Sequence, residues 1–171
     1  MKRIRAIDMI VIIVCAAMSI TALAKRRQLS PRQLDQQTKN FVKKAAALVK
    51  RRGRVAASCA FNNPKGHFQR GYRYIFAVTC GNPEDDGFIV ADPATPQYNY
   101  TNRTNKTPIV DEIVKDSYGI LQHSGKWYEY CWINPATHEY HVKRTYVEMI
   151  PGERLCVGSG YYLRETCVVE N

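Results

Sequence analysis

Residues 127–162, WYEYCWINPATHEYHVKRTYVEMIPGERLCVGSGYY, decide the fold of this chain. Aromatic and β-branched residues alternate with polar ones over 126–133, 140–149 and 154–163, the two-residue period of a half-buried strand. Between them stand Asn134-Pro135-Ala136-Thr137 and Pro151-Gly152, connections short enough for antiparallel neighbours. The stretch reads as a three-stranded meander. Along its first strand Tyr128, Tyr130 and Trp132 fall on one face, and Trp127, Glu129 and Cys131 on the other. The second strand carries Lys143 mid-run, where an ammonium requires an anionic partner or water.

Working outward, GYRYIFAVTC at 71–80 predicts a further strand, with Tyr72, Tyr74, Phe76 and Val78 on one face and Ile75 and Ala77 on the other. Asp85-Asp86-Gly87 predicts a hairpin turn and 88–91 the short returning strand. Residues 93–108 are polar and irregular, with three Asn-x-Thr triplets starting at Asn99, Asn102 and Asn105 that fit the glycosylation acceptor pattern and, in a bacterial chain, mark only an exposed loop. Ile109, Val110, Ile113, Val114 and Ile120 predict a helix crossing the sheet. Upstream, Ser30 as cap and Pro31 at the first helical position open a long helix over 30–52, whose apolar stripe includes Leu34, Val42, Ala45 and Val49. Gly53 ends it, and a shorter helical segment over 54–61 follows. The order predicts an α+β fold: a five-stranded antiparallel sheet with the long N-terminal helix on one face and a ligand-sized concavity on the other.

The chain has 171 residues and a formal net charge of +10. Lys2, Arg3 and Arg5, the apolar run 9–20 and Ala22-Leu23-Ala24 predict a signal peptide over 1–24, cleaved after Ala24, although Lys25, Arg26 and Arg27 on that flank oppose export and leave a retained anchor as the alternative. Removing three basic and one acidic residue with this leader leaves 22 basic and 14 acidic residues, a net charge near +8. The remainder, 25–171, is the length of a single domain. Its basic clusters at 25–27 and 50–54 lie at helix ends and not along an aromatic groove, so solubility is favoured over polyanion binding and no nucleic-acid partner is expected. Cys59, Cys80, Cys131, Cys156 and Cys167 remain, an odd number for an oxidising compartment, and no C-x-x-C spacing supports zinc or a redox motif. His67, His123, His138 and His141 read as surface residues without metal-ligand spacing. No Ser/His/Asp order, carboxylate pair or phosphate loop can be assembled, so the chain is not expected to be an enzyme, and no cofactor is implied.

In sequence order, Phe61-Asn62-Asn63, Gly71-Tyr72-Arg73-Tyr74-Ile75-Phe76, Asp86-Gly87, the run from Gly125 to Thr137, Lys143-Arg144-Thr145-Tyr146-Val147 and Val157-Gly158-Ser159-Gly160-Tyr161-Tyr162 resemble a single Cache domain, the PAS-like extracytoplasmic sensor of chemoreceptors and histidine kinases, here in stand-alone form. The resemblance covers nearly all of 25–171. It implies a secreted or periplasmic module that binds a small organic ligand, such as a short carboxylic acid, and signals, as in chemotaxis, through a separate, membrane-bound partner. Three departures stand out: Asp92-Pro93 where the pattern has His-Pro, Cys131 where it often has a basic residue, and the Asn/Thr triplets in place of a glycine-containing loop. The chain stops at Asn171 without a second span, which sets aside a receptor of the usual membrane-spanning design.

The pocket-forming strand implied by the resemblance makes Tyr130 and Trp132 ligand-binding candidates, against a plain packing role. Lys143 either binds a ligand carboxylate, pairs with Glu129 or Glu148, or lies exposed. Tyr74 either closes the pocket or is core. With the strands over 71–80, 88–91, 126–133, 140–149 and 154–163 numbered in chain order, a sheet order 2-1-5-4-3 with the first and fifth antiparallel would place Cys80 beside Cys156 and Cys131 toward Cys167, so these pairs are expected, leaving Cys59 free, where it would allow a homodimer. The alternative reading is a basic secreted interaction protein that uses the fold as a scaffold without small-ligand sensing.

Overall fold

The computed structural model describes residues 29–82 and 84–167; the leader expected over 1–24 lies outside them. The chain divides into two compact units, 1–33 and 34–171. In the first, Ser30 and Gln33 form a reciprocal capping box: the Ser30 N–H donates to Gln33 Oε1 (2.9 Å), and the Gln33 N–H donates to Ser30 Oγ (3.3 Å). All that follows concerns the second unit.

Helix α1, Pro31–Phe61, leaves helical geometry at Gly53 (φ 74°, ψ 164°), where the sequence places its stop. That interruption frees the Arg54 N–H, which donates to Glu153 Oε2 at 3.1 Å. The strand expected over 71–80 is broken up. Gly71 takes a positive φ of 60° and turns a small hairpin of β1, Gln69–Arg70, and β2, Arg73–Tyr74. The Ile75 N–H then donates to Phe68 O (3.1 Å), and β3, Phe76–Thr79, joins the main sheet. After β4, Ile89–Ala91, the expected single helix divides at Asp116 into α2, Pro108–Lys115, and α3, Ser117–Gln122. The meander follows as β5, Lys126–Ile133, β6, Tyr140–Ile150, and β7, Leu155–Thr166, the last longer than its apolar pattern.

The main sheet has the order β4-β3-β7-β6-β5, all antiparallel. Its two faces bury separate cores because side chains alternate along each strand. On one face Val42, Ala45, Val49, Ala57 and Phe61 of α1 pack on Ile75, Ala77, Tyr146, Ile150 and Val157. On the other, Ile109, Val110, Ile113 and Ile120 of α2 and α3 pack with Val78, Tyr128, Val147 and Cys156. The structure pairs Cys80 with Cys156, both fully buried, and Cys131 with Cys167; Cys59 is unpaired and exposed.

Candidate functional site

The α2 face of the sheet carries a cavity of about 30 Å³. Tyr74, Tyr130, Trp132 and Lys143, the four residues singled out in the sequence, all line it. Register explains how they meet. Lys143 sits opposite Tyr130 of β5 and opposite Tyr162 of β7, so the three side chains form a row across adjacent strands. Tyr74 and Phe76 reach the row from the other side of β7.

Two glycines in β7 make this crossing of side chains sterically feasible. A Cβ on Gly158 would lie 2.4 Å from Phe76 Cζ, and one on Gly160 would lie 3.1 Å from Lys143 Cε and 2.5 Å from Thr145 Oγ1. The Gly-Ser-Gly of the sequence is thus the floor over which Phe76 and Lys143 lie. Ser159 between them donates to Tyr74 O at 2.7 Å and holds β2 against β7.

Lys143 is 1 % exposed. Its ammonium donates to Tyr74 Oη at 2.7 Å and lies 4.2 Å from that ring's centroid, 5.7 Å from Phe76 and 5.6 Å from Tyr162. Among the described residues no carboxylate forms an ion pair with it. Of the partners weighed from sequence, Glu129 is bonded to Arg144 on the α1 face (2.6 Å), and Glu148 shares that face with Tyr146. Burial pushes the Lys143 pKa down from 10.5 to about 8, with the negative charge of Asp92 opposing the shift. Burial likewise raises the phenol pKa of Tyr74, Tyr130 and Tyr162, so these groups remain neutral hydroxyls. Tyr130 Oη accepts from Thr145 Oγ1 at 3.2 Å, and Tyr162 Oη donates to Ile133 O at 2.7 Å.

Asp92, Phe76 and Tyr162 line or border the site without having been marked as binding residues. For Asp92 the signal was present as Asp92-Pro93, a departure from the resembled pattern. Asp92 is 7 % exposed; its carboxylate accepts from the Ala94 N–H (3.1 Å) and from Thr95 Oγ1 (2.6 Å). Its own N–H donates to Asn99 Oδ1 (2.7 Å), and Asn99 donates to Asn62 Oδ1 (3.1 Å). This chain of bonds ties the loop over the cavity to the segment after α1. The first Asn-x-Thr triplet therefore has an internal structural task at Asn99.

The opposite face at the same level is saturated. Arg144 donates to Asp35 Oδ1 (3.0 Å) and Oδ2 (3.2 Å) and to Glu129, and its guanidinium lies 4.5 Å from the Trp127 ring centroid. Tyr161 Oη also donates to Asp35 Oδ1 at 2.9 Å. Burial pushes the Asp35 pKa up, but the bonds from Arg144 and Tyr161 outweigh it and hold the carboxyl below its ordinary value. Among the described residues no cluster of three His, Cys, Asp or Glu side chains could hold a metal ion.

A five-stranded antiparallel sheet of this order, with a long helix on one face, is the PAS-like α+β fold of Cache sensor domains. Solved structures of sensor domains share it. A methyl-accepting chemotaxis protein from Vibrio parahaemolyticus has 15 % identity and a TM-score of 0.59, over 76 % of this chain and 88 % of its own. A Cache chemosensory domain described for carboxylic acid recognition has 15 % identity and a TM-score of 0.59, over 77 % and 95 %. The periplasmic sensor domain of a chemotaxis protein has 20 % identity and a TM-score of 0.53, over 77 % and 92 %. No family model and no curated protein matches the chain.

Proposed function

We propose that this chain is an extracytoplasmic sensor module that binds a small organic acid on the α2 face of its sheet, with the ligand carboxylate against Lys143. One observation carries the reading. Lys143 is a buried ammonium with three donors and, among the described residues, a single protein acceptor in Tyr74 and no ion pair. A buried cation left in this state is costly unless an anion completes it. The row of hydroxyls and apolar walls supplies the rest of a small-acid site.

The two disulfides support an oxidising, extracytoplasmic setting. The chemotaxis proteins that share the fold support a role in signalling through a membrane-bound partner. Catalysis is not part of the proposal.

A volume near 30 Å³ is about that of one water in the liquid, so a ligand enters as the loop and α2 yield. A thermal-shift screen of short carboxylates tests the reading. At a concentration 100-fold above Kd a ligand adds about 2.7 kcal/mol of stability. Stabilisation of the wild type by at least one carboxylate, and of Lys143→Met by none, is expected. No stabilisation by any carboxylate removes the proposal.

A further inference from the structure

The cavity is lined by two buried charges of opposite sign, and no ion pair joins them. Lys143 retains two free N–H donors after its bond to Tyr74, and the Asp92 carboxylate retains about two of its four lone-pair sites after Ala94 and Thr95. Each group is less than a tenth exposed. A simple monoacid would complete Lys143 and at the same time bring a second negative charge toward Asp92. In a low-dielectric cavity that repulsion is expensive. A hydroxyl would give Asp92 a hydrogen bond without neutralising it. An ammonium does both.

The third charged group of the lining, Arg103, is half-buried and held through one of its donors and one ring face. Its Nε donates to Thr107 Oγ1 at 3.1 Å, and its guanidinium lies 4.1 Å from the Tyr98 centroid. Because Nε is one of five guanidinium donors, a dicarboxylate is the rival ligand, and succinate in the titration below tests it.

We infer that the ligand is a small zwitterion, with its carboxylate on Lys143 and its ammonium on Asp92, and this rests on the carboxylate site proposed above. Asp92 is then the specificity-determining residue, standing on the loop that roofs the cavity, so that ligand binding draws this loop toward the sheet. The remaining walls include Phe76, Val78, Ile89 and Ile113, which restrict the body of the ligand to a few carbons.

Isothermal titration of the full chain with propionate, lactate, succinate, alanine and β-alanine tests this. The two amino acids differ from propionate only by an ammonium. The better of the two is expected to bind at least about tenfold tighter than propionate, a difference of about 1.4 kcal/mol. Asp92→Asn, which keeps an acceptor for Ala94, is expected to shrink that advantage below about threefold while propionate binds as well as before or better. Propionate, lactate or succinate binding as tightly as the better amino acid overturns the inference and leaves the carboxylate site standing. An advantage that survives unchanged in Asp92→Asn also overturns it. Binding of none of the five removes both readings together. The ligand comparison on the wild type does not depend on the variant folding, and near-ultraviolet circular dichroism checks the variant.

Discussion

Lys143 and Arg144 are consecutive residues of one strand, and the sheet sends them to opposite faces with opposite outcomes. Arg144 meets Asp35 of α1 and Glu129 of β5, with every contact charge-complementary and the guanidinium laid on Trp127. Lys143 meets phenols and a phenylalanine, with one side-chain hydrogen bond and no carboxylate within ion-pair distance among the described residues. The first arrangement fastens the long helix to the sheet. The second leaves an open electrostatic valence in a cavity. One peptide bond separates a cation paired for structure from the cation proposed to meet the ligand, and what distinguishes them is the set of groups that each face presents.

The sharpest way to break this comparison is Lys143→Met. On the α2 face it is expected to cost at least about 100-fold in ligand affinity, near 3 kcal/mol, read by titration. The unliganded protein is expected to become more stable by about 1 to 3 kcal/mol in urea denaturation, because an apolar side chain of similar length replaces a buried charge. A stability loss with unchanged affinity would show that Lys143 is structural as well.

The same asymmetry has a pH signature. Lys143 has a folded-state pKa of about 8 against 10.5 unfolded, so between those values the unfolded chain holds the extra proton. Stability therefore rises with pH across that window, by up to roughly 3 kcal/mol in total, with the full cost of burying the charge present below pH 8. Above about pH 10 the tyrosines work in the other direction, since their folded-state values are raised and the unfolded phenols lose protons first. The difference between wild type and Lys143→Met from pH 7.5 to 9.5 isolates the lysine. A flat difference would mean that its ammonium is not desolvated.

Smaller effects sharpen the comparison further. Gly160→Ala places a Cβ 2.5 Å from Arg144 O and close to Lys143, and is expected to cost about 2 kcal/mol of stability while weakening ligand binding. Arg144→Met is expected to cost about 1 kcal/mol, since its carboxylate partners Asp35 and Glu129 are part-exposed and solvated. Its ligand affinity should stay within about twofold of wild type. A large affinity loss from Arg144→Met would couple the two faces and join α1 to the binding event.

Much of the architecture was legible because it rests on local periodicity. The meander from Lys126 onward and the helix stop at Gly53 follow from alternation, turn residues and glycine placement, whereas the placing of β3 beside β7 came with the resemblance to a Cache domain. The break at Gly71 was not legible, because a tyrosine-rich run with an acceptable strand period gives no sign that pairing switches partner at Ile75. The site was half legible. Alternation put Tyr130 and Trp132 on one face, but Lys143 had three possible fates, and Asp92 was visible only as an odd residue before a proline.

What the sequence determined by itself was which residues can share a face, since that depends on a two- or 3.6-residue period and on turns a few residues long. What only the tertiary structure decided was the company each charge keeps. Asp92, Lys143 and Tyr74 come from three separate segments, and Asp35 reaches Arg144 across 109 positions of chain. Burial and pairing of a charge are properties of the packed faces, and no local pattern in the chain encodes them.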